Sequence, residues 1–275
     1  MKNDRYFFTK SLARLITLSI CLLAVTSLSL AATTETEVLK EATAYHEKDE
    51  ITVPLMPLSP VETLTSALPN LPRPNRAIVE ALLKYPRDGR HTYWWPRKGE
   101  SDYDGSTTDV LLNGFVAMKG EPKRRSFCCG LTLEVFYDVV KNLPGGSQRF
   151  PDKKAADDFK KLWFCKAIDA NGPGDALVAA GMGRVITNPK EVLPGDFVQL
   201  WRHSKTGHSV IFVAWAYDIS GRPVGIHYWS TQEGTKGIHF QTELFGNSGK
   251  SVDLKKTGFS RLLPPDQWKP LTTQP

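Results

Sequence analysis

Residues 194–231 read PGDFVQLWRHSKTGHSVIFVAWAYDISGRPVGIHYWST. Three runs in this stretch, residues 196–202, 208–217 and 224–231, are rich in β-branched and aromatic side chains. Turn segments containing Gly, Pro, Asp and Ser separate the runs. The pattern predicts three strands of an antiparallel meander.

The preceding part of the chain has helical patterns instead. Residues 77–85 have apolar positions at helical spacing and end at Pro86. Three further helices are predicted over 132–142, 152–164 and 174–180. Helices followed by strands indicate an α+β fold rather than alternating βαβ units. A short strand or turn over 110–117 and a last strand over 259–263 complete the pattern.

The N-terminal segment resembles an export leader in its composition. Residues 1–14 carry four basic side chains, residues 15–30 are uncharged and mostly apolar, and Ser29-Leu30-Ala31 provides a small-residue cleavage site. These features predict a signal peptide over residues 1–31, with a retained membrane anchor as the alternative. The predicted localisation is therefore secreted or periplasmic, without stable membrane insertion after cleavage.

The charge of the chain is modest once this leader is set aside. The 35 Lys and Arg against 29 Asp and Glu make a net charge of +6. The leader holds four basic residues and one acidic residue, so the remaining 244 residues have a net charge of +3. This small excess does not indicate a nucleic-acid partner.

A proline-rich segment follows the leader. Six prolines fall between Val53 and Asn75, and residues 32–52 are polar without apolar periodicity. Residues 32–75 are therefore predicted to be a flexible Pro-rich linker with at most a short helix around 60–67. The globular domain is expected over residues 76–275.

Three cysteines remain after the leader, namely Cys128, Cys129 and Cys165. Exported proteins usually pair their cysteines, so an odd number leaves at least one free thiol. Cys128 stands at the start of a predicted helix, where the backbone N–H groups and the helix dipole favour a thiolate. His208, at the start of a predicted strand, is the best candidate for the base that such a nucleophile needs.

Three motifs resemble those of the NlpC-type cell-wall peptidases, which share a papain-like fold with the CHAP amidases. Cys128-Cys129-Gly130-Leu131-Thr132 resembles their Cys-Ser-Gly-Leu-Val/Thr motif. Pro194-Gly195-Asp196-Phe197-Val198 resembles their Pro-Gly-Asp-Leu-Val strand opening, and Gly207-His208-Ser209-Val210 resembles their histidine strand. The match covers about residues 120–232. It implies a papain-like α+β fold with the nucleophile at a helix N-terminus, packed on an antiparallel meander.

The resemblance also implies roles for individual residues. Cys128 is the nucleophile, His208 is the general base, and a polar group on the next strand orients the imidazole. Gln232 is the first choice for that third position and His227 the second. The resemblance implies no cofactor or metal.

Two aromatic residues are candidates for substrate binding. Tyr93 lies in a segment similar to the family's upstream Tyr-x-Trp-Gly, although Pro96 replaces the glycine. Trp229 is the other candidate, as part of a sugar-stacking platform on the strands. Core packing is the competing interpretation of Trp201, Trp215 and Trp229.

The sequence as a whole predicts an exported cysteine peptidase or amidase. The expected substrate is an amide bond of peptidoglycan, in the stem peptide or between sugar and peptide. The alternatives are an inactive module of the same fold that binds cell wall or protein, and an acyltransferase.

Several residues allow a structural interpretation instead. Cys128 is then a buried core thiol, and Cys129 is a core residue or a disulfide partner of Cys165. A zinc site at His203 and His208 is disfavoured, because no Cys-x-x-Cys accompanies them. Two acidic residues of the cysteine helix, Glu134 and Asp138, are predicted to lie on its solvated face.

Overall fold

Five α-helices and eight β-strands form in residues 54–96, 102–165 and 167–270, the parts of the chain that this computed structural model describes. In chain order the helices are α1 (Pro60–Ala67), α2 (Arg73–Lys84), α3 (Cys128–Val140), α4 (Lys153–Trp163) and α5 (Pro173–Ala179). The strands are β1 (Val110–Leu112), β2 (Phe115–Met118), β3 (Gly183–Ile186), β4 (Phe197–Trp201), β5 (Gly207–Tyr217), β6 (Pro223–Gln232), β7 (Gly237–Leu244) and β8 (Gly258–Leu262). None of the helices in these ranges is long and apolar enough to cross a membrane.

A six-stranded antiparallel sheet forms the centre of the fold. Its strand order is β3-β8-β4-β5-β6-β7, and β1 and β2 form a separate hairpin. The meander β4-β5-β6 predicted from residues 194–231 is confirmed. The α+β class is confirmed as well, since the helices α1 to α5 precede most of the sheet.

The cysteine helix α3 lies between the other helices and the sheet. Every residue of α3 except Asp138 is buried, and the helix contacts α2, β5 and β6. Phe136 at its centre stacks on Phe159 of α4 at 4.9 Å and meets Trp163 at 5.0 Å and Phe197 of β4 at 6.1 Å. These aromatic contacts hold α3 in one position relative to the strand that carries His208.

The Pro-Gly-Asp motif before β4 has a structural role. The Asp196 carboxylate is fully buried and accepts hydrogen bonds from the Leu193 N–H (2.7 Å) and the Asn75 side chain (2.8 Å). It also accepts two hydrogen bonds from the Arg261 guanidinium, from Nε at 2.8 Å and from a terminal nitrogen at 2.7 Å. Gly195 has φ +88°, a conformation that favours glycine. The motif therefore joins α2, β4 and β8.

The prediction that residues 32–75 form a flexible Pro-rich linker is wrong from residue 54 onward. Met56 N–H donates to Tyr217 O at 2.9 Å, α1 forms where a short helix was expected, and its Leu64 is fully buried. Prolines stand in the first turn of both α1 and α2. Proline is tolerated there because the first N–H groups of a helix have no intrahelical partner. The predicted signal peptide, residues 1–31, and linker residues 32–53 lie outside the described residues.

Two strands and one acidic residue differ from the sequence prediction. β3 and β7 form in segments for which the sequence pattern predicted no strand. The alternation of Ile238, Phe240, Thr242 and Leu244 is the signal that could have indicated β7. Glu134 does not lie on a solvated face, because it is buried and held by the 107–108 loop.

Candidate active site

Cys128 is the first residue of α3, and the helix start is fixed by close backbone packing. The preceding Phe127 is extended, provides no side-chain cap, and donates its N–H to Gly105 O at 3.3 Å. A Cβ at Gly130 would come within 2.2 Å of Asp104 O, so only glycine allows this approach. As at the start of any α-helix, the first backbone N–H groups of α3 have no intrahelical acceptor. They lie at the end of the helix where Cys128 stands.

The structure brings most of the predicted site residues to one cavity. Cys128, His208, Gln232 and Tyr93 all line a cavity of about 520 Å³. They come from α3, from the beginning of β5, from the end of β6 and from the segment before α3. Residues separated by more than one hundred positions in the sequence therefore form one wall.

The two neighbouring cysteines differ in their acidity. The pKa of the Cys128 thiol is held well below its usual value, first because Cys129 donates a hydrogen bond to it. The positive charge of His208, a hydrogen bond with that side chain and the Ser209 N–H act in the same direction, against the effect of burial. The pKa of Cys129 is raised, because it gives this hydrogen bond and is buried. Cys128 is therefore the thiolate of the pair.

The imidazole of His208 is held in a nearly closed environment. Only 5% of the residue is exposed, and its ring lies edge-to-face with Tyr228 at a centroid distance of 5.5 Å. The Nε2 atom is buried and has no hydrogen-bond partner among the described residues. One ring nitrogen of the proposed base thus lacks the direct polar partner that the sequence predicted.

Gln232, the first choice for that partner, contacts a different residue. Its side-chain amide lies 2.9 Å from the Tyr228 hydroxyl. The same hydroxyl donates to Glu243 Oε1 at 2.5 Å, and Glu243 binds both arms of the Arg202 guanidinium at 2.7 and 2.6 Å. Tyr228, Glu243 and Arg202 are the residues that sequence reasoning missed next to His208.

The second choice, His227, lies elsewhere. Its Nδ1 is 2.6 Å from Thr242 Oγ1, and it does not line the cavity. Side chains alternate along β6, so His227 and Gln232 project from opposite faces of the sheet. The assignment of His227 as an alternative third residue is therefore wrong.

The two candidate substrate-binding residues, Tyr93 and Trp229, lie in different environments. Tyr93 forms an isolated parallel β-bridge with Ser126, two residues before the cysteine helix. Its side chain lines the cavity. Burial, followed by the charges of the nearby cysteines, raises its pKa to about 12. Trp229 is fully buried and packs against Tyr85 at 5.3 Å. Trp229 is a core residue, and the prediction that it binds substrate is wrong.

Three further aromatic residues line the cavity together with Tyr93. They are Trp95, Phe164 and Trp201. Trp95 is 57% exposed, an unusual position for a tryptophan. The aromatic cluster Tyr-Trp-Trp-Pro at 93–96 is the sequence signal for this wall, and Trp95 is the member that the sequence prediction missed.

All three described cysteines are free thiols. Cys129 and Cys165, the pair considered for a disulfide, both line the cavity without being joined. Burial raises the pKa of Cys165 to about 11. In the described parts of the chain, no three His, Cys, Asp or Glu side chains are placed to hold a metal ion together.

Comparisons of this chain with known protein families, with curated proteins and with solved structures gave no match.

Proposed function

We propose that this protein is a cysteine hydrolase of papain-like fold that cleaves an amide bond, with Cys128 as nucleophile and His208 as general base. One observation carries the proposal. The Cys128 thiol, at the first turn of a buried helix, has a lowered pKa and interacts with His208 at the wall of a cavity large enough for a substrate. A structural core thiol does not need an acidified environment open to a cavity.

The first half of the reaction transfers an acyl group to the enzyme. The Cys128 proton passes to His208, and the Cys128 Sγ attacks the carbonyl carbon of the substrate amide. The unpaired N–H groups at the start of α3 stabilise the negative oxygen of the tetrahedral intermediate. The His208 imidazolium then donates its proton to the leaving amine nitrogen, the C–N bond breaks, and a thioester remains on Cys128.

The second half regenerates the thiolate. His208 removes a proton from a water molecule, and the resulting hydroxide attacks the thioester carbonyl carbon. The C–S bond breaks, and a carboxylic acid product leaves. The Ser209 N–H and the Cys129 thiol, which both lower the pKa of Cys128, stabilise the departing Cys128 thiolate.

The cavity wall supports a peptide or sugar–peptide substrate. Tyr93, Trp95, Phe164 and Trp201 provide flat apolar faces, and such faces pack against peptide side chains and sugar rings. Together with the motifs that resemble cell-wall peptidases and with the predicted export leader, this wall favours peptidoglycan as the substrate.

The test is digestion of purified peptidoglycan with the protein and its variants. We expect the wild type to release soluble fragments and Cys128→Ala to lose at least about a hundredfold of the rate. Val185→Ala, at an exposed position of β3 that does not line the cavity, is the control and should retain most of the activity. Mass spectrometry of the fragments identifies the bond cleaved.

Equal rates for wild type and Cys128→Ala would overturn the proposal. Fragments that carry a transferred acyl group on an amine would identify an acyltransferase, and binding without any fragment would identify an inactive binding module.

A further inference from the structure

The position of the His208 ring needs an explanation, because its predicted partner does not hold it. Gln232 bonds to the Tyr228 hydroxyl, and His208 Nε2 has no hydrogen-bond partner in the described residues. The nearest aromatic ring is that of Tyr228, in edge-to-face geometry at 5.5 Å with an interplanar angle of 74°. The ring of Tyr228 is therefore the surface against which the imidazole rests.

Tyr228 is in turn fixed at its hydroxyl. The residue is 1% exposed, and its hydroxyl lies 2.9 Å from Gln232 Oε1 and 2.5 Å from Glu243 Oε1. Glu243 is held by the planar fork of Arg202. A tyrosine with its ring packed and its hydroxyl bound between a carboxylate and an amide has little freedom to move.

The Glu243 carboxylate is kept ionised close to the imidazole. Burial opposes ionisation, yet the pKa of Glu243 is lowered by the hydrogen bonds and the charge of Arg202, by the Tyr228 hydroxyl and by the charge of His208. The carboxylate and the imidazole thus interact electrostatically although they share no hydrogen bond. A negative charge beside an imidazole favours its protonated form.

We propose that Tyr228 positions the His208 imidazole and that Glu243, held by Arg202, stabilises the imidazolium formed when Cys128 gives up its proton. This inference rests on the proposed function and assigns to the Tyr228–Glu243 pair the part expected of Gln232. Gln232 contributes through the Tyr228 hydroxyl. Tyr228 and Glu243 are positioning residues, because neither lines the cavity at Cys128.

The proposal predicts the direction of a pH shift. Removing the negative charge of Glu243 favours the Cys128 thiolate, so the alkylation profile of Cys128 moves to lower pH. The Arg202 cation, left without its carboxylate, acts in the same direction. The other titratable groups around the imidazole are not substituted in this variant: Cys128 and Cys129 on α3, Tyr93 before α3, Tyr228 on β6 and Glu233 just after β6.

The experiment measures the alkylation rate of Cys128 by iodoacetamide against pH, resolved by peptide mass spectrometry. We expect Glu243→Gln to move the profile to lower pH by about one unit. Glu243→Asp keeps the charge and should restore a profile near that of the wild type. Glu62→Gln, an exposed carboxylate on α1, is the matched control and should leave the profile unchanged.

A second variant keeps the Arg202–Glu243 ion pair and tests the positioning role separately. Tyr228→Phe retains the ring but removes its hydroxyl. We expect the alkylation rate of Cys128 at pH 7 to fall about five- to tenfold, the effect of one buried hydrogen bond. Tyr217→Phe, at the exposed end of β5, is the control for the same exchange. A cooperative thermal unfolding transition shows that each variant is folded. If Glu243→Gln does not fold, the alkylation rate of Tyr228→Phe alone tests the proposal.

The inference would be overturned if folded Glu243→Gln showed the wild-type pH profile of Cys128 alkylation and folded Tyr228→Phe showed the wild-type rate. This holds even if the protein cleaves peptidoglycan. A shifted profile in a protein that cleaves no peptidoglycan would overturn the proposed substrate and leave the role of the pair intact, because alkylation needs no substrate.

Discussion

At the scale of single residues, the Cys128-Cys129 doublet shows how adjacent identical side chains acquire different chemistry. Both residues are buried, yet only Cys128 interacts with His208 and with the Ser209 N–H. Cys129 acts as its hydrogen-bond donor, and the two thiols cannot both be ionised at neutral pH without strong repulsion. The serine found at this place in the NlpC-type motif would also supply a donor.

The first prediction concerns the reactivity of the three thiols. At pH 7 we expect iodoacetamide to label Cys128 fastest, because its pKa is lowered and it lines the cavity. Cys165, with a pKa of about 11, should react at least about tenfold more slowly, and Cys129 slowest. Peptide mass spectrometry over a time course measures the order.

Denatured protein is the control for that order, since all three thiols then react alike. Faster labelling of Cys165 than of Cys128 in the folded protein would contradict the assignment of Cys128 as the thiolate.

At the scale of elements, α3 is attached to its neighbours by a buried carboxylate. Glu134 accepts hydrogen bonds from the Thr107 N–H at 2.8 Å and from the hydroxyls of Thr107 at 2.7 Å and Thr108 at 3.3 Å. Burial, and then the charge of this carboxyl group, raises the pKa of Tyr85, just after α2. One acidic residue thereby connects the cysteine helix to a loop and to α2.

This carboxylate gives a prediction about pH and stability. Burial raises the pKa of Glu134 from 4.5 to about 7. The folded protein therefore binds a proton that the unfolded chain has released above about pH 4.5, so this contribution to stability is lost as the pH rises toward 7. We expect the wild type to lose roughly 2–3 kcal/mol of its free energy of unfolding through this group over that range.

The side chain in Glu134→Gln cannot titrate, so this variant should not lose this part of its free energy of unfolding as the pH rises. Urea unfolding of both proteins between pH 4.5 and 8 measures the difference, which should increase in favour of Glu134→Gln as the pH rises. A difference that does not change with pH would show that the carboxyl group ionises normally in the folded protein.

At the scale of the whole molecule, the fold includes residues before position 76, the domain boundary that the prolines suggested. The segment 54–56 bonds to the β5–β6 region through Met56 N–H and Tyr217 O. Helix α1 contacts β5, and its Leu64 is fully buried in the main core. This N-terminal segment is therefore part of the fold that supports the histidine strand.

The third prediction tests this extension of the fold. Leu64→Ala removes a fully buried side chain and should lower the free energy of unfolding by about 2–5 kcal/mol. Val61→Ala on the same helix is 40% exposed and should cost less than about 1 kcal/mol. Urea unfolding at a fixed pH compares the two. Equal effects would mean that α1 does not pack on the domain in solution.

The sequence by itself determined the α+β class, the β4-β5-β6 meander, the cysteine at a helix start and the strand that carries His208. These features depend on local periodicity, on turn residues and on helix-start chemistry, which neighbouring residues specify. Only the tertiary structure decided which side chains surround the imidazole. Tyr228, Glu243 and Arg202 belong to three different strands or strand ends, and sheet register brings them together across β4, β6 and β7. It also decided that Trp229 is core, because an apolar side chain on a strand faces helix or cavity according to how the whole sheet is covered.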